Sequence, residues 1–348
     1  MLSQTALSPL PRVHILGLGS IGTFTAHGLL DIPKRPAVTL LLHRESLHEG
    51  YIRNNKQILL ETVDGQSVGH TGYDVEEYRA GSWYSLPTSS VTSATIRNLI
   101  VTVKTTQTLT ALRALKVRLS AASTILFLQN GCGINDAVND SLFPDPATRP
   151  TYIIGVVSHG ATLNRPFHVT HTGAAAISLG LVPRDNPDPT PPAEPDYLLA
   201  LLPQSPRLSA TAYPYTEVFQ IQLEKLAVNA FCNLLCALHD AQNGFLFTLP
   251  EIRRELLTEI AKVVLALPEL RDVPNIRERF SVDRLERTVN DILVKTAKTT
   301  CSMVWDLRAG RETEIRFINW YWVRRGKEVG VPTPINERLM EDILQRGC

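Results

Sequence analysis

A surplus of charge of one sign is missing from this chain: 35 Lys and Arg stand against 34 Asp and Glu, a formal net charge of +1 over 348 residues. Without such a field there is no broad attraction for nucleic acid or an anionic membrane surface, and neither is expected as a partner. A small anionic ligand, held by locally placed Lys and Arg, stays open. Paired cysteines are missing too. Cys132, Cys232, Cys236, Cys301 and Cys348 are odd in number and scattered, without the spacing of a disulfide scaffold or a zinc site, which points to a reducing compartment and no metal. Cys232, Cys236 and His239 could share a helix face, but no fourth ligand lies near in sequence, and small buried core residues are the simpler reading. No run approaches the length of a membrane span, and Met1 to Arg12 lacks the apolar core of a secretory signal. A soluble, cytoplasmic protein is therefore expected. The single Arg and absent acidic residues of that opening segment keep a short mitochondrial leader as the alternative. No internal repeat is visible.

With 44% hydrophobic and 20% charged residues, the chain can bury a sizeable core and should make two domains or one large one. Strand-like runs at Val13 to Leu16, Val38 to Leu42, Asn98 to Val103 and Thr124 to Leu128 alternate with helical stretches, one reaching about Leu30 and one starting at Thr105. That alternation predicts a parallel sheet with helices on both faces. Tyr152 to Val157 and Ala176 to Leu179 read as further strands. Residues 183–196 hold a proline-rich, acidic segment that suits neither helix nor sheet and reads as an inserted surface loop. Long helical patterns follow at Ile221 to His239, Glu251 to Leu267, Val282 to Ala297 and Glu314 to Val329. The expected fold is α/β: a Rossmann-type parallel-sheet domain over 1–215, then an all-helical domain over 216–348, with a ligand cleft between them at the strands' carboxyl ends.

The strand Val13 to Leu16 runs straight into Gly17, Leu18, Gly19, Ser20, Ile21 and Gly22 and then into a helical stretch. This is the dinucleotide fingerprint in its proper setting. Gly17 would make the tight turn, Gly19 would admit the pyrophosphate, Gly22 would pack helix on sheet, and the phosphates would sit at the helix N-terminus beside Ser20 and Ile21. Strand two ends in His43 and Arg44, where a cation suits the 2′-phosphate of NADP; Glu45 next door keeps NAD alive. Lys104 and Gln107 follow one strand, and Asn130 follows the next. Taken alone, Lys104 reads equally well as a surface lysine and Asn130-Gly131 as plain turn chemistry, but their shared position at strand tips favours the ligand crevice.

Lys225, Asn229 and Asn233 recur at i, i+4, i+8 inside an otherwise apolar helix. A solvent-facing stripe would carry charges more often than amides, so this one is expected to line a site. Lysine there could protonate a carbonyl oxygen as hydride arrives at carbon, and partial desolvation would bring its pKa toward that task. Further on, Gly310 breaks a helix between Ser302 and Glu314; spacing alone reads this as a capped helix junction.

Taken together, GLGSIG, VKTTQ, QNGCG, EKLAVNAFCN, SMVWDLRAGRETEI and RRGKEVGVPTP resemble, in order and approximate spacing, the ketopantoate reductase (2-dehydropantoate 2-reductase) family from Val13 to beyond Pro332. The resemblance implies NADPH-dependent reduction of the 2-keto group of ketopantoate, for pantothenate and coenzyme A synthesis. By the same resemblance Lys225 matches the catalytic lysine and Glu314 the glutamate that contacts the substrate hydroxyl, also counted with the catalytic pair. Ser302 matches the carboxylate-binding serine, and Asn229, Asn233 and Asn243 match substrate-side asparagines. Arg44 matches the phosphate-binding arginine, whereas Lys104, Gln107 and Asn130 match residues that line the cofactor and the nicotinamide end of the site. Two tryptophans depart from the pattern: Trp320 stands where a small packing residue is common, and Trp305 where a polar one is usual. The proline-rich loop is extra. These departures bear on substrate identity, so the alternatives are a reductase of another 2-keto acid or secondary-metabolite ketone, and a non-catalytic NADP-binding sensor or assembly protein. A homodimer is compatible with all of them.

Overall fold

A computed structural model of the protein describes residues 11–184 and 196–346. Most of the proline-rich stretch expected over 183–196, and the opening ten residues weighed as a leader, lie outside the described residues. The chain divides into two compact units. One comprises Met1–Val103, Gln107–Gln129 and Ala137–Tyr215; the other comprises Lys104–Thr106, Asn130–Asp136 and Thr216–Cys348.

Among the described residues the first unit holds fourteen strands: β1 (Val13–Leu16), β2 (Val38–Leu42), β3 (Gln57–Glu61), β4 (Ser67–Thr71), β5 (Asp74–Arg79), β6 (Ser82–Leu86), β7 (Ser90–Val91), β8 (Asn98–Val101), β9 (Thr124–Phe127), β10 (Thr151–Val157), β11 (Gly160–Arg165), β12 (His168–Gly173), β13 (Ile177–Leu181) and β14 (Ala210–Ala212). Ten form one sheet in the order β14-β13-β10-β9-β8-β1-β2-β5-β6-β7. From β10 to β5 every neighbouring pair is parallel, with Val13 level with both Val38 and Asn98. β1, β8 and β9 are buried at every position, as mostly apolar strands in the middle of a parallel sheet should be. Outside that parallel block β13 pairs antiparallel with β10, and β6 with β5.

The second sheet, β11-β12-β3-β4, was not foreseen from the sequence. It joins β12 in parallel to β3 (His168 to Leu59), across more than a hundred residues. The helix Ser20–Leu29 that follows the fingerprint packs on β11, β3 and β12 as well as on β1 and β2. This explains why nearly all of it is buried, including Phe24, which sits against the rings of His159 and His171.

The second unit is helical: Tyr215–His239, Pro250–Ala266, Val282–Thr296, Ser302–Arg308, Asn319–Val329 and Pro334–Arg346 are its main elements. Tyr215–His239 has no Gly or Pro inside it and stops where Asp240 turns left-handed at φ +48°. By length and composition this helix could cross a membrane, which corrects the reading that no run is long enough; 61% of its apolar window is buried inside the protein, as in a core helix. The single helix expected over Glu314 to Val329 is also corrected. It is a short 3-10 turn, Glu314–Phe317, then a break at Ile318 (φ −112°, ψ −86°), then Asn319–Val329. At the break the Phe317 carbonyl accepts from Cys132 N (2.9 Å). Gly131, at φ +90°, lies so close that a Cβ there would come within 2.6 Å of Phe317 Cβ.

Candidate active site

In the first unit the turn after β1 is shaped by its glycines. Gly17 sits at φ +100°, and a Cβ on it would lie 2.5 Å from Val103 N; a Cβ on Gly22 would collide with the Gly17 carbonyl and Thr102 Oγ1. Thr102 Oγ1 donates to the Gly17 carbonyl (2.6 Å), locking the turn to the end of β8. Gly19 differs. A Cβ there would meet nothing within 4 Å, and the residue is exposed at the N-terminus of Ser20–Leu29 with no side chain capping the helix. An open cradle over free backbone N–H groups is what a pyrophosphate requires, so these residues fit a nicotinamide dinucleotide. Ser20 Oγ accepts from Leu163 N (3.2 Å), and Ile21 packs half-buried against the core. Arg44 is exposed two residues after β2 in extended conformation, ahead of the helix Glu45–Arg53. Gln107 is exposed as well.

In the second unit the long helix places Lys225 so that its Nζ donates to Asn130 Oδ1 (3.0 Å). Asn130 Nδ2 points on to Glu314 Oε2 (3.5 Å). The buried Glu314 uses its other oxygen, Oε1, for two short contacts, with Thr105 N and Thr105 Oγ1, each 3.0 Å. Lys104 Nζ lies 3.6 Å from Glu314 Oε2 and 2.8 Å from Oδ2 of the buried Asp306, whose Oδ1 accepts from Arg311 (3.1 Å). A continuous polar chain therefore runs Lys225, Asn130, Glu314, Lys104, Asp306, Arg311. Gln222, on the same helix as Lys225, donates to the Gly131 carbonyl (2.9 Å) and fixes the loop that carries Asn130.

Burial pulls the Lys225 ammonium down to about 8, against the opposing pull of Glu314. Lys104 moves the other way: burial lowers it, but Glu314 and Asp306 together outweigh burial and raise it. One lysine is thus tuned to release a proton near neutrality, while the other is held charged as a counter-ion to two buried carboxylates.

Asn229 and Asn233 lie one and two turns beyond Lys225, the first half-buried and the second buried. Ser302 is exposed as the first residue of Ser302–Arg308, and Cys301 Sγ just before it contacts the Asn233 carbonyl (3.6 Å). Asn243 stands apart from the polar chain. Its Nδ2 donates to Thr296 Oγ1 (2.9 Å) and its Oδ1 faces Cys236 Sγ (3.5 Å), so its amide ties the 3-10 segment Asn243–Thr248 to two helices. Cys232 and Cys236 are buried and His239 is exposed against Phe245, so the three do not converge. Trp320, which stands where a small packing residue is common, is 39% exposed under Lys327, because Asn319, Trp322, Val323 and Gly326 form the buried stripe of that helix. Trp305 is likewise exposed, with Arg308 over its ring at 5.0 Å. Thr105, Asp306 and Arg311 were not singled out by sequence reasoning, although each lies inside a motif quoted above.

The sequence model described as "Ketopantoate reductase PanE/ApbA" matches residues 13–184, and its C-terminal counterpart matches 217–346. A Schizosaccharomyces pombe protein named "Probable 2-dehydropantoate 2-reductase" is 30% identical over 338 residues, covering 94% of each chain. The chain belongs to the ketopantoate reductase family. Within ketopantoate reductase relatives the names are not uniform: a Gibberella fujikuroi protein named "Ketoisovalerate reductase BEA2" is 26% identical over 90% of this chain and 77% of its own. Among solved structures, a ternary structure of D-mandelate dehydrogenase with NADH and anilino(oxo)acetate shares the fold at a TM-score of 0.74 and 21% identity, over 97% of this chain and 98% of that one. The ketopantoate reductase fold, a parallel-sheet Rossmann-like region followed by a helical one, is therefore that of this chain.

Proposed function

We propose that this protein reduces the 2-keto group of ketopantoate to pantoate with NADPH. The observation that carries the reading is the chain Lys225, Asn130, Glu314 within a member of this family, with the lysine brought to about 8. The dinucleotide, whose pyrophosphate the Gly17–Gly22 turn would hold, would supply the hydride for the keto carbon. Lys225 Nζ gives its proton to the carbonyl oxygen, turning C=O into CH–OH, and Asn130 Oδ1 holds the ammonium in place for that transfer. Glu314 Oε2, whose nearest partners stand at 3.5 and 3.6 Å, keeps an acceptor site for the terminal hydroxyl of the substrate. Ser302 takes the carboxylate, with Asn229 and Asn233 on the substrate side. Arg44, exposed at the end of β2, supports NADPH over NADH through the extra phosphate its fork can grip, and titration with both cofactors checks that preference.

Steady-state kinetics with NADPH and a panel of keto acids tests the reading. Ketopantoate is expected to exceed 2-keto-3-methylbutyrate by roughly ten-fold or more in kcat/KM, since the latter leaves Glu314 without its hydroxyl. A reversed order would favour the second reading, reduction of a different 2-keto acid, which the name of the Gibberella relative supports. No turnover of any keto acid would favour a non-catalytic NADP-binding role.

A further inference from the structure

His27, in the last turn of the helix that follows the fingerprint, is wholly buried, and its Nε2 lies 3.1 Å from the Val68 carbonyl. A carbonyl only accepts, so Nε2 carries the ring hydrogen and Nδ1 presents a lone pair. Among the described residues that Nδ1 has no hydrogen-bond partner. It faces Oδ2 of Asp31 at 3.9 Å, and a carboxylate has nothing to donate. Two acceptors confront each other in a buried place. Protonating His27 would relieve the conflict, but burial, with His70 adding to it, holds this imidazole down to about 4.

The remaining member is His70, on β4. Its ring packs on that of His27 at 4.2 Å with a tilt of 37°, and its Nε2 lies 2.7 Å from Asp31 Oδ1. One ligand atom from each of the three residues lies within 4.8 Å of the other two. His27 is sealed from solvent, whereas the side chains of His70 and Asp31 are 13% and 17% exposed, so the cluster is reachable from the surface.

We infer that His27 Nδ1, His70 Nε2 and an oxygen of Asp31 form a binding site for a divalent transition ion of the zinc class, distinct from the reductase machinery. Two imidazoles and one carboxylate with an open fourth position are a donor set that zinc accepts, at about 2.0–2.2 Å from each ligand atom. The backbone carbonyl on His27 Nε2 is the outer partner that fixes the ligating tautomer. Binding takes the Nε2 hydrogen of His70, either moved to Nδ1 or released to solvent, and replaces its hydrogen bond to Asp31. Arg207 Nε, 2.5 Å from Asp31 Oδ2, anchors that oxygen and leaves Oδ1 to the ion; its charge also moderates the affinity. Because His27 and Asp31 lie at the end of the helix behind the fingerprint and His70 belongs to the second sheet, the ion cross-links those two elements of the first unit. Its effect is on stability.

The test is equilibrium dialysis of chelator-stripped full-length protein against zinc chloride near pH 7.5, read by elemental analysis and thermal unfolding. Uptake approaching one ion per chain with a raised Tm is expected, weakened by roughly a hundred-fold or more in His70→Ala and in Asp31→Asn. Both substitutions fall on partly exposed side chains, and circular dichroism verifies that each variant folds. Cobalt loading adds a second readout: weak visible bands without a strong near-ultraviolet thiolate band fit nitrogen and oxygen donors. A thiolate band would place the ion at the cysteines instead and overturn the inference. So would the absence of uptake, or uptake unchanged in both variants.

Discussion

Glu259 and Glu314 are both buried in the helical unit, at 7% and 5% exposure, and they are used in opposite ways. Glu259 is saturated. Its Oε1 accepts from Ile335 N at 2.7 Å, and its Oε2 accepts from Asn336 N and Nδ2 at 3.1 and 3.0 Å, so it caps the first turn of Pro334–Arg346. Glu314 has one oxygen bonded as tightly, to Thr105, while its other oxygen meets Asn130 and Lys104 only at 3.5 and 3.6 Å. Burial is therefore not what separates a structural carboxylate from a working one. Spare hydrogen-bonding capacity beside a tuned lysine is.

The largest effect should come from breaking the working chain at the lysine. Lys225→Ala is expected to lower kcat by about a hundred-fold to ten thousand-fold, with NADPH affinity nearly unchanged in a fluorescence titration. Normal turnover in the folded variant would remove Lys225 from the role of general acid. The unaltered protein offers a gentler break through pH. A general acid must be protonated to act, so kcat should hold below the value of about 8 to which burial brings Lys225 and fall as pH rises through it, approaching ten-fold per unit. A profile flat to pH 10 would contradict that.

The next effect is one of selectivity. Glu314→Ala should erase the preference for ketopantoate over 2-keto-3-methylbutyrate, a loss of roughly ten-fold to a hundred-fold in the ratio of kcat/KM values, because the acceptor for the extra hydroxyl is gone. If the ratio persists, the free oxygen of Glu314 is not where the hydroxyl docks. Glu259→Gln is the matching control. Its new NH2 would face backbone or amide donors, and loss of a charged acceptor costs about 1.5–3 kcal/mol in unfolding free energy. The kcat of the folded fraction should stay within about two-fold. A large change in kcat with unchanged stability would dissolve the contrast between the two glutamates.

How much of this was legible in the sequence follows from range. Gly17 and Gly22 are forced by local sterics, and their pattern is compact enough to read directly. The i, i+4, i+8 row of Lys225, Asn229 and Asn233 is likewise local to one helix. Lys104, Asn130 and Glu314 were named by their place in motifs, but nothing in the sequence says that they touch. Thr105 and Glu314 are 209 residues apart and Lys104 and Asp306 are 202, so each contact exists only once the chain has folded. The second sheet escaped for the same reason. β3 alternates half-buried and buried residues over only five positions, and its partner β12 comes from a distant segment, so no local pattern announces the pair. His27, Asp31 and His70 came together by the same long-range pairing: two are a helical turn apart, and the third arrives on β4.

The smallest effect belongs to Trp320, which the sequence marked as a departure bearing on substrate identity. Its ring lies outside the buried stripe of Asn319–Val329 and carries Lys327 Nζ at 5.3 Å from its centroid. By the reasoning that separates the two glutamates, a side chain whose contacts are spent on an exposed partner has nothing left for a ligand. Trp320→Ala should therefore cost only about 0.5–1 kcal/mol of stability, the worth of an exposed cation–π contact, and leave the ranking of keto acids unchanged. Asn319, its neighbour, is the contrast. It is fully buried, and Nδ2 donates to the Ala230 carbonyl and to Asn336 Oδ1, both at 3.1 Å, tying this helix to the one that bears Lys225. Should Trp320→Ala shift substrate preference while a matched Trp305→Ala does not, the outward-facing indole contacts the substrate after all. Spare bonding capacity would then be too narrow a criterion for recognising a working residue.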